Sequence, residues 1–134
     1  MKKSVLLLCV SIFSTLFLLS CNRIAHSTEP DYNFTSNVSL EVTAPAYGEN
    51  LKPGTTYIIR YNVPPEISRV TIALYRKSTF QFNIAENIEN TGVVSWTIPE
   101  NIFNSVHYRL KICDSNYPEI YHSYGQNFYI KTDW

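Results

Sequence analysis

The side chains able to do chemistry are few in this sequence and poorly gathered. His26 lies near the start, and His107 and His122 stand far apart without the short ligand spacing of a metal site. A nucleophilic Cys113 needs one of those histidines beside it across strands and a lowered thiol pKa. The sequence indicates neither, so Cys113 is expected as a lone thiol on the polar side of a strand. Asp114 and Glu119 are a conceivable carboxylate pair or calcium ligands, but Asp114-Ser115-Asn116 more simply forms a turn bonded to its own backbone. There is no Gly-rich phosphate loop and no nucleophile elbow. The expectation is therefore a protein that is not an enzyme and carries no cofactor and no metal. Binding chemistry remains. Tyr117, Tyr121, Tyr124 and Tyr129 crowd the C-terminal end, and such rings stack on sugars or anchor protein partners. Tyr117, in a polar turn, and Tyr121, outward by parity with Phe128 and Ile130 if no bulge intervenes, are the expected ligand contacts. A bulge near Gly125 swaps the face of Tyr124. The next surface in line is the exposed side of the strands carrying Arg60, Arg109 and Lys111.

One cysteine has a different chemistry. Lys2 and Lys3 precede an apolar run from Val5 to Leu19, which ends in Leu18-Leu19-Ser20-Cys21. A basic start, a short apolar stretch and a small residue before the cut describe a secretory signal. A spanning helix needs about 20 predominantly apolar residues, and this run is shorter and interrupted by Ser11, Ser14 and Thr15. Leu18-Leu19-Ser20-Cys21 resembles the lipobox of bacterial lipoproteins, where the cysteine thiol takes a diacylglycerol. The resemblance implies residues 1–20 as signal peptide and Cys21 as the lipid attachment site. Acyl chains such as palmitate then hold the protein on a membrane, each buried methylene contributing about 0.8 kcal/mol. Cleavage also discards Cys9, so Cys21 and Cys113 leave no pair for an intramolecular disulfide.

Composition narrows the partners. The 134 residues carry a net charge of +0, with 45% hydrophobic and 16% charged, which argues for one folded domain and against a disordered polar chain. Losing Lys2 and Lys3 takes eleven basic side chains to nine against eleven acidic ones. Nucleic acid is therefore excluded as the default partner. The expected partners are a membrane, reached through the lipid, and a glycan or an envelope protein.

Those groups must be positioned by strands. Residues 21–37 are polar and irregular and read as a tether behind Cys21. Asn33 and Asn37 match glycosylation acceptors by spacing, which in such a stretch is more simply chance. From Val38 the period is two: Val38 to Val42, Tyr57 to Val63, Val70 to Tyr75, Phe80 to Ile84, Val94 to Ile98, Tyr108 to Cys113 and Phe128 to Ile130 each place apolar residues on one face. Lys52-Pro53-Gly54 has type II turn chemistry, Asn90-Thr91-Gly92 is a second turn and Asp114 to Pro118 a third. Helical periodicity is absent, apart from a single short turn conceivable over Ile84 to Glu89. About seven short strands over residues 38–134 predict an all-β antiparallel sandwich.

The order of these landmarks is similar to a known family. Ala44-Pro45, Gly48-Glu49, Lys52 to Tyr57, Val70 to Tyr75, Gly92 to Pro99, Tyr108 to Ile112, Asp114-Ser115-Asn116 and Phe128 to Ile130 resemble the Ig-like domain at the N-terminus of Ser/Thr-rich, GPI-anchored yeast cell-wall proteins linked to glucan assembly. The resemblance implies an immunoglobulin/fibronectin-III-like β-sandwich and brings no catalytic residues. It places Trp96 between the sheets and Tyr108 at a tyrosine corner. Tyr61 stands where the family often has Trp, and Tyr121, His122 and Tyr124 where it is usually small and polar. The expected protein is a lipid-anchored module of the bacterial cell envelope, at the outer membrane or surface rather than the inner membrane. It binds or supports polysaccharide or cell wall; the alternative is a protein-interaction subunit of an envelope complex.

Overall fold

The computed structural model describes residues 38–132, so the signal, Cys21 and the tether lie outside the described residues. Alternating sequence becomes strand wherever turn residues allow. In chain order the strands are β1 (Glu41–Ala44), β2 (Asn50–Leu51), β3 (Thr56–Asn62), β4 (Arg69–Arg76) and β5 (Thr79–Glu89). They continue as β6 (Val93–Thr97), β7 (Ser105–Asp114), β8 (His122–Tyr124) and β9 (Phe128–Ile130). One sheet has the order β1-β3-β6. The other runs β2-β9-β7-β4-β5, with β8 paired to β7. Pairing is antiparallel except between β2 and β9, where Asn50 and Leu51 run parallel to Tyr129 and Ile130. The all-β sandwich is as expected; β2 and β8 are too short to show as periodic segments.

The two sheets close over one core. Val42, Ile59, Tyr61 and Trp96 come from the smaller sheet, and Val70, Ile72, Leu74, Tyr108, Leu110, Ile112 and Phe128 from the larger. Each fully buried aliphatic side chain contributes about 1.5–3 kcal/mol relative to exposure. Trp96 is buried as expected. Tyr108 donates its hydroxyl to the Phe103 carbonyl at 2.6 Å, which is the tyrosine corner and fixes the entry to β7. The turn at Lys52-Pro53-Gly54 closes with Thr55 N donating to Lys52 O at 3.3 Å, and Gly54 takes the positive φ of 78° that this turn requires.

Two expectations about β5 fail. Leu74 pairs with Phe82 and Tyr75 with Phe80, so Gln81 is an extra residue on β5. This bulge turns Phe80 away from the core and onto the face of Tyr75. The segment from Ile84 to Glu89 is the rest of the same strand, not a helical turn. It bends at Asn87, whose φ is 51° and whose carbonyl and side-chain oxygens both accept from Arg69 Nε.

Among the described residues two buried side-chain atoms lack a hydrogen-bond partner, the Tyr61 hydroxyl and Arg109 Nε. The Tyr61 hydroxyl is buried with no hydrogen-bond partner, an arrangement that costs about 1–3 kcal/mol. The two buried aromatic residues of the smaller sheet therefore respond oppositely to substitution. Trp96→Ala is expected to destabilise the domain by about 3–5 kcal/mol, whereas Tyr61→Phe, which removes only the orphan oxygen, should leave the melting temperature unchanged or raise it. Thermal denaturation of both variants checks this, and a large loss in Tyr61→Phe would mean that the hydroxyl has a partner.

Candidate functional site

The C-terminal tyrosines are distributed by a second bulge. Lys111 pairs with Tyr124 and Tyr108 with Phe128, so three steps along β7 face four along its partner. The extra residue falls at the break between β8 and β9, where Gly125 N donates to Leu110 O at 2.8 Å. A Cβ on Gly125 would meet the Val42 Cβ at 3.0 Å and Cγ1 at 3.2 Å, so only glycine passes here without pushing β1 aside. The insertion reverses parity upstream. Tyr121, expected outward in the absence of a bulge, is half-buried against the core. Tyr124 turns outward and is 41% exposed.

Around Tyr124 the outer face of the larger sheet gathers rings and cations. The Arg109 guanidinium lies 4.3 Å above the Tyr124 ring centroid, and Lys111 Nζ lies 5.9 Å from it. Tyr75 meets Tyr124 edge-on at 5.5 Å, and Phe80 meets Tyr75 edge-on at 5.7 Å. Contacts of this kind contribute about 0.5–1.5 kcal/mol each, enough to orient rings without burying them. Arg60, grouped with Arg109 and Lys111 by sequence, is on β3 of the other sheet and does not join them.

A groove between β1 and β8 also borders Tyr124. Its volume is about 270 Å³, and its lining includes Glu41, Thr43, Tyr47, Ser123, Tyr124 and Gln126. Tyr47 stands 73% exposed on one wall. Its loop is held by the Glu49 carboxylate, whose Oε2 accepts from Ala46 N and Oε1 from the Tyr57 hydroxyl, both at 2.9 Å. Burial, then this hydrogen bond to Glu49, pushes the Tyr57 phenol above its ordinary pKa. Gly48 N donates to Asn127 O at 2.9 Å and ties the same loop to the β8–β9 break. Sequence reasoning missed Tyr47 altogether. The one available signal was its place in a Pro/Gly-bounded loop, and nothing local tells that the loop faces β8.

The remaining candidates lie elsewhere. Tyr117 is 50% exposed and touches Tyr121 edge-on at 6.5 Å in the β7–β8 connection. Asp114 accepts from Asn116 N at 2.8 Å through Oδ1, the expected side-chain turn. Cys113 is buried rather than exposed on a polar face, because β8 and its connection cover this end of β7. Its thiol donates to Thr71 O at 3.7 Å, and burial raises its pKa above the ordinary value. His122 is its cross-strand neighbour, but a thiol shifted upward is the opposite of an activated nucleophile. His107 is at the far end of β7. Among the described residues no group of three or more His, Cys, Asp or Glu side chains is arranged to hold a metal ion, and no helix is long and apolar enough to cross a membrane.

These features define an Ig-like β-sandwich whose distinctive surface is aromatic and cationic. The chain belongs to the family of the Kre9/KNH-like N-terminal Ig-like domain, whose model matches residues 44–130. No curated protein and no solved structure matches the chain.

The passage of Gly125 over Val42 is open to test. Gly125→Ala is expected to destabilise the domain by about 1–3 kcal/mol through overpacking, with smaller loss in a Gly125→Ala/Val42→Ala pair than the two single effects summed. Denaturant unfolding of the double-mutant cycle measures this coupling, and strictly additive effects would contradict the contact.

Proposed function

We propose that this protein is a non-catalytic binding module of the bacterial cell envelope, held to a membrane through a lipidated Cys21 and binding polysaccharide beside Tyr124. The observation that carries the reading is the groove between β1 and β8, walled by the exposed rings of Tyr47 and Tyr124 and lined by hydroxyl, amide and carboxylate groups. Aromatic rings offer flat apolar faces to the C–H side of a sugar, and the short polar side chains between them suit its hydroxyls. Membership in a family associated with cell-wall glucan assembly supports the same reading. The signal-like start and Leu18-Leu19-Ser20-Cys21 support anchoring, at the outer membrane or the surface rather than the inner membrane.

A second reading, an interaction subunit of an envelope complex, has its own support in the β7–β8 connection. Ile120 is 68% exposed there beside Tyr117, away from the groove. That is the composition of a small protein anchor point.

Anchoring is tested by metabolic labelling with a fatty-acid probe: Cys21→Ser should abolish incorporation, and equal labelling of both proteins rejects the assignment. Binding is tested on a glycan array followed by calorimetry with the best glycan. Tyr47→Ala/Tyr124→Ala is expected to weaken affinity at least about fivefold, more than 1 kcal/mol, with Tyr117→Ala near wild type. Loss confined to Tyr117→Ala would move the site to the β7–β8 connection.

A further inference from the structure

We infer that the polysaccharide bound by this module is acidic, its carboxylate or phosphate groups engaging the cationic row along β7 on the outer face of the larger sheet. The inference rests on the polysaccharide reading and adds the charge of the ligand. Arg109 and Lys111 are alternate residues of β7, flanked by the buried Tyr108, Leu110 and Ile112. The row therefore points away from the core, with its members about 6.6 Å apart along the strand. Its cross-strand neighbours are Tyr75 and Phe80 at the level of Arg109, and Ala73, Asn83 and Tyr124 at the level of Lys111. None of these is acidic. Lys77 extends the row at its upper end, where its backbone N–H donates to His107 O at 2.8 Å.

Two details set this row apart from a chance cluster. The whole chain has a net charge of +0, so a face without carboxylates at these levels is a segregation of charge, not a reflection of composition. Lys77 also occupies the first central position of the two-residue β4–β5 turn with a φ of 56°, where glycine is the favoured residue. A lysine there costs backbone strain that glycine avoids, and its side chain is exposed at the end of the row.

The chemistry of the face selects a glycan over other polyanions. Arg109 and Lys111 flank the same Tyr124 ring that borders the groove, so one saccharide can place its apolar face on a ring and its anion on a cation. A lipid surface would call for exposed aliphatic side chains among the cations. Here the exposed apolar surface is mostly ring, Phe80 and Tyr124 on these levels and Phe103 at the Lys77 end, where Val106 is the one aliphatic residue. Nucleic acid would call for a strongly basic protein.

The test uses the full chain in neutral detergent and polygalacturonate as probe, beside the same polymer fully methyl-esterified. Polygalacturonate is expected to bind at least about tenfold tighter than its ester. That difference should shrink between 0.1 and 1 M salt as the Debye length falls from about 10 to about 3 Å. Lys77→Gln/Lys111→Gln should lower polygalacturonate affinity about fivefold or more at an unchanged melting temperature, and lower binding to the ester by a clearly smaller factor. Equal, salt-insensitive binding to both polymers overturns the acidic preference and leaves the polysaccharide reading standing. Failure to bind either polymer or any glycan on the array overturns both. Tighter binding to phosphatidylglycerol vesicles or to single-stranded DNA than to polygalacturonate also overturns the inference, since the row would then serve a different polyanion.

Discussion

The closest constraint in the domain is the passage of the backbone at Gly125 over the side chain of Val42, where even a methyl group would meet carbon at 3.0 Å. This crossing brings the β8–β9 segment against β1 and so joins the edge of the larger sheet to the edge of the smaller one. Its local cost is one extra residue against β7, and its consequence is the face of every side chain before it. Tyr121 turns against the core and Tyr124 away from it. The groove, the aromatic cluster and the cationic row all meet at Tyr124, and all three would be rearranged by a one-residue change in register.

Rigid supports keep that surface in place. The Tyr108 hydroxyl locks the approach to β7, and the Glu49 carboxylate holds the loop of Tyr47 by accepting from a backbone amide and from Tyr57. A hydrogen bond to a charged group contributes about 1.5–3 kcal/mol net, against about 0.5–1 kcal/mol for an exposed cation–π contact. The frame is therefore held by the core and these bonds, and the ring–cation contacts around Tyr124 are the softer part. That division suits a binding surface: Arg109 and Lys111 can exchange a weak contact with a ring for a stronger one with an anion without disturbing the sheet.

The smaller sheet offers a different lesson. Its aromatic residue at Tyr61 fills the core but leaves a hydroxyl without a partner, and Trp96 carries the larger share of buried area. The outward side of this sheet, with Arg60 on β3, is separate from the cationic row. Both sheets share the core, while the potential ligand contacts fall on the outer face of the larger one and along the seam at β1.

What the sequence by itself determined is everything that depends on near neighbours. Period-two alternation set the faces of β3, β4, β6 and β7, and Gly54 and Asp114 specified their turns. Tyr108 signalled its corner, because each of these needs only a few consecutive residues to state its requirement. The groove was not legible in this way, nor was the orientation of the aromatic surface. Parity along a strand survives only until an extra residue is inserted. Whether one is inserted at Gln81 or at Gly125 depends on how the paired strand and the opposite sheet pack. The burial of Cys113 under β8, the separation of Arg60 from Arg109 and the arrival of Tyr47 beside Tyr124 have the same origin. Each is a distance between residues remote in sequence, and such distances were decided only when the two sheets closed on a shared core.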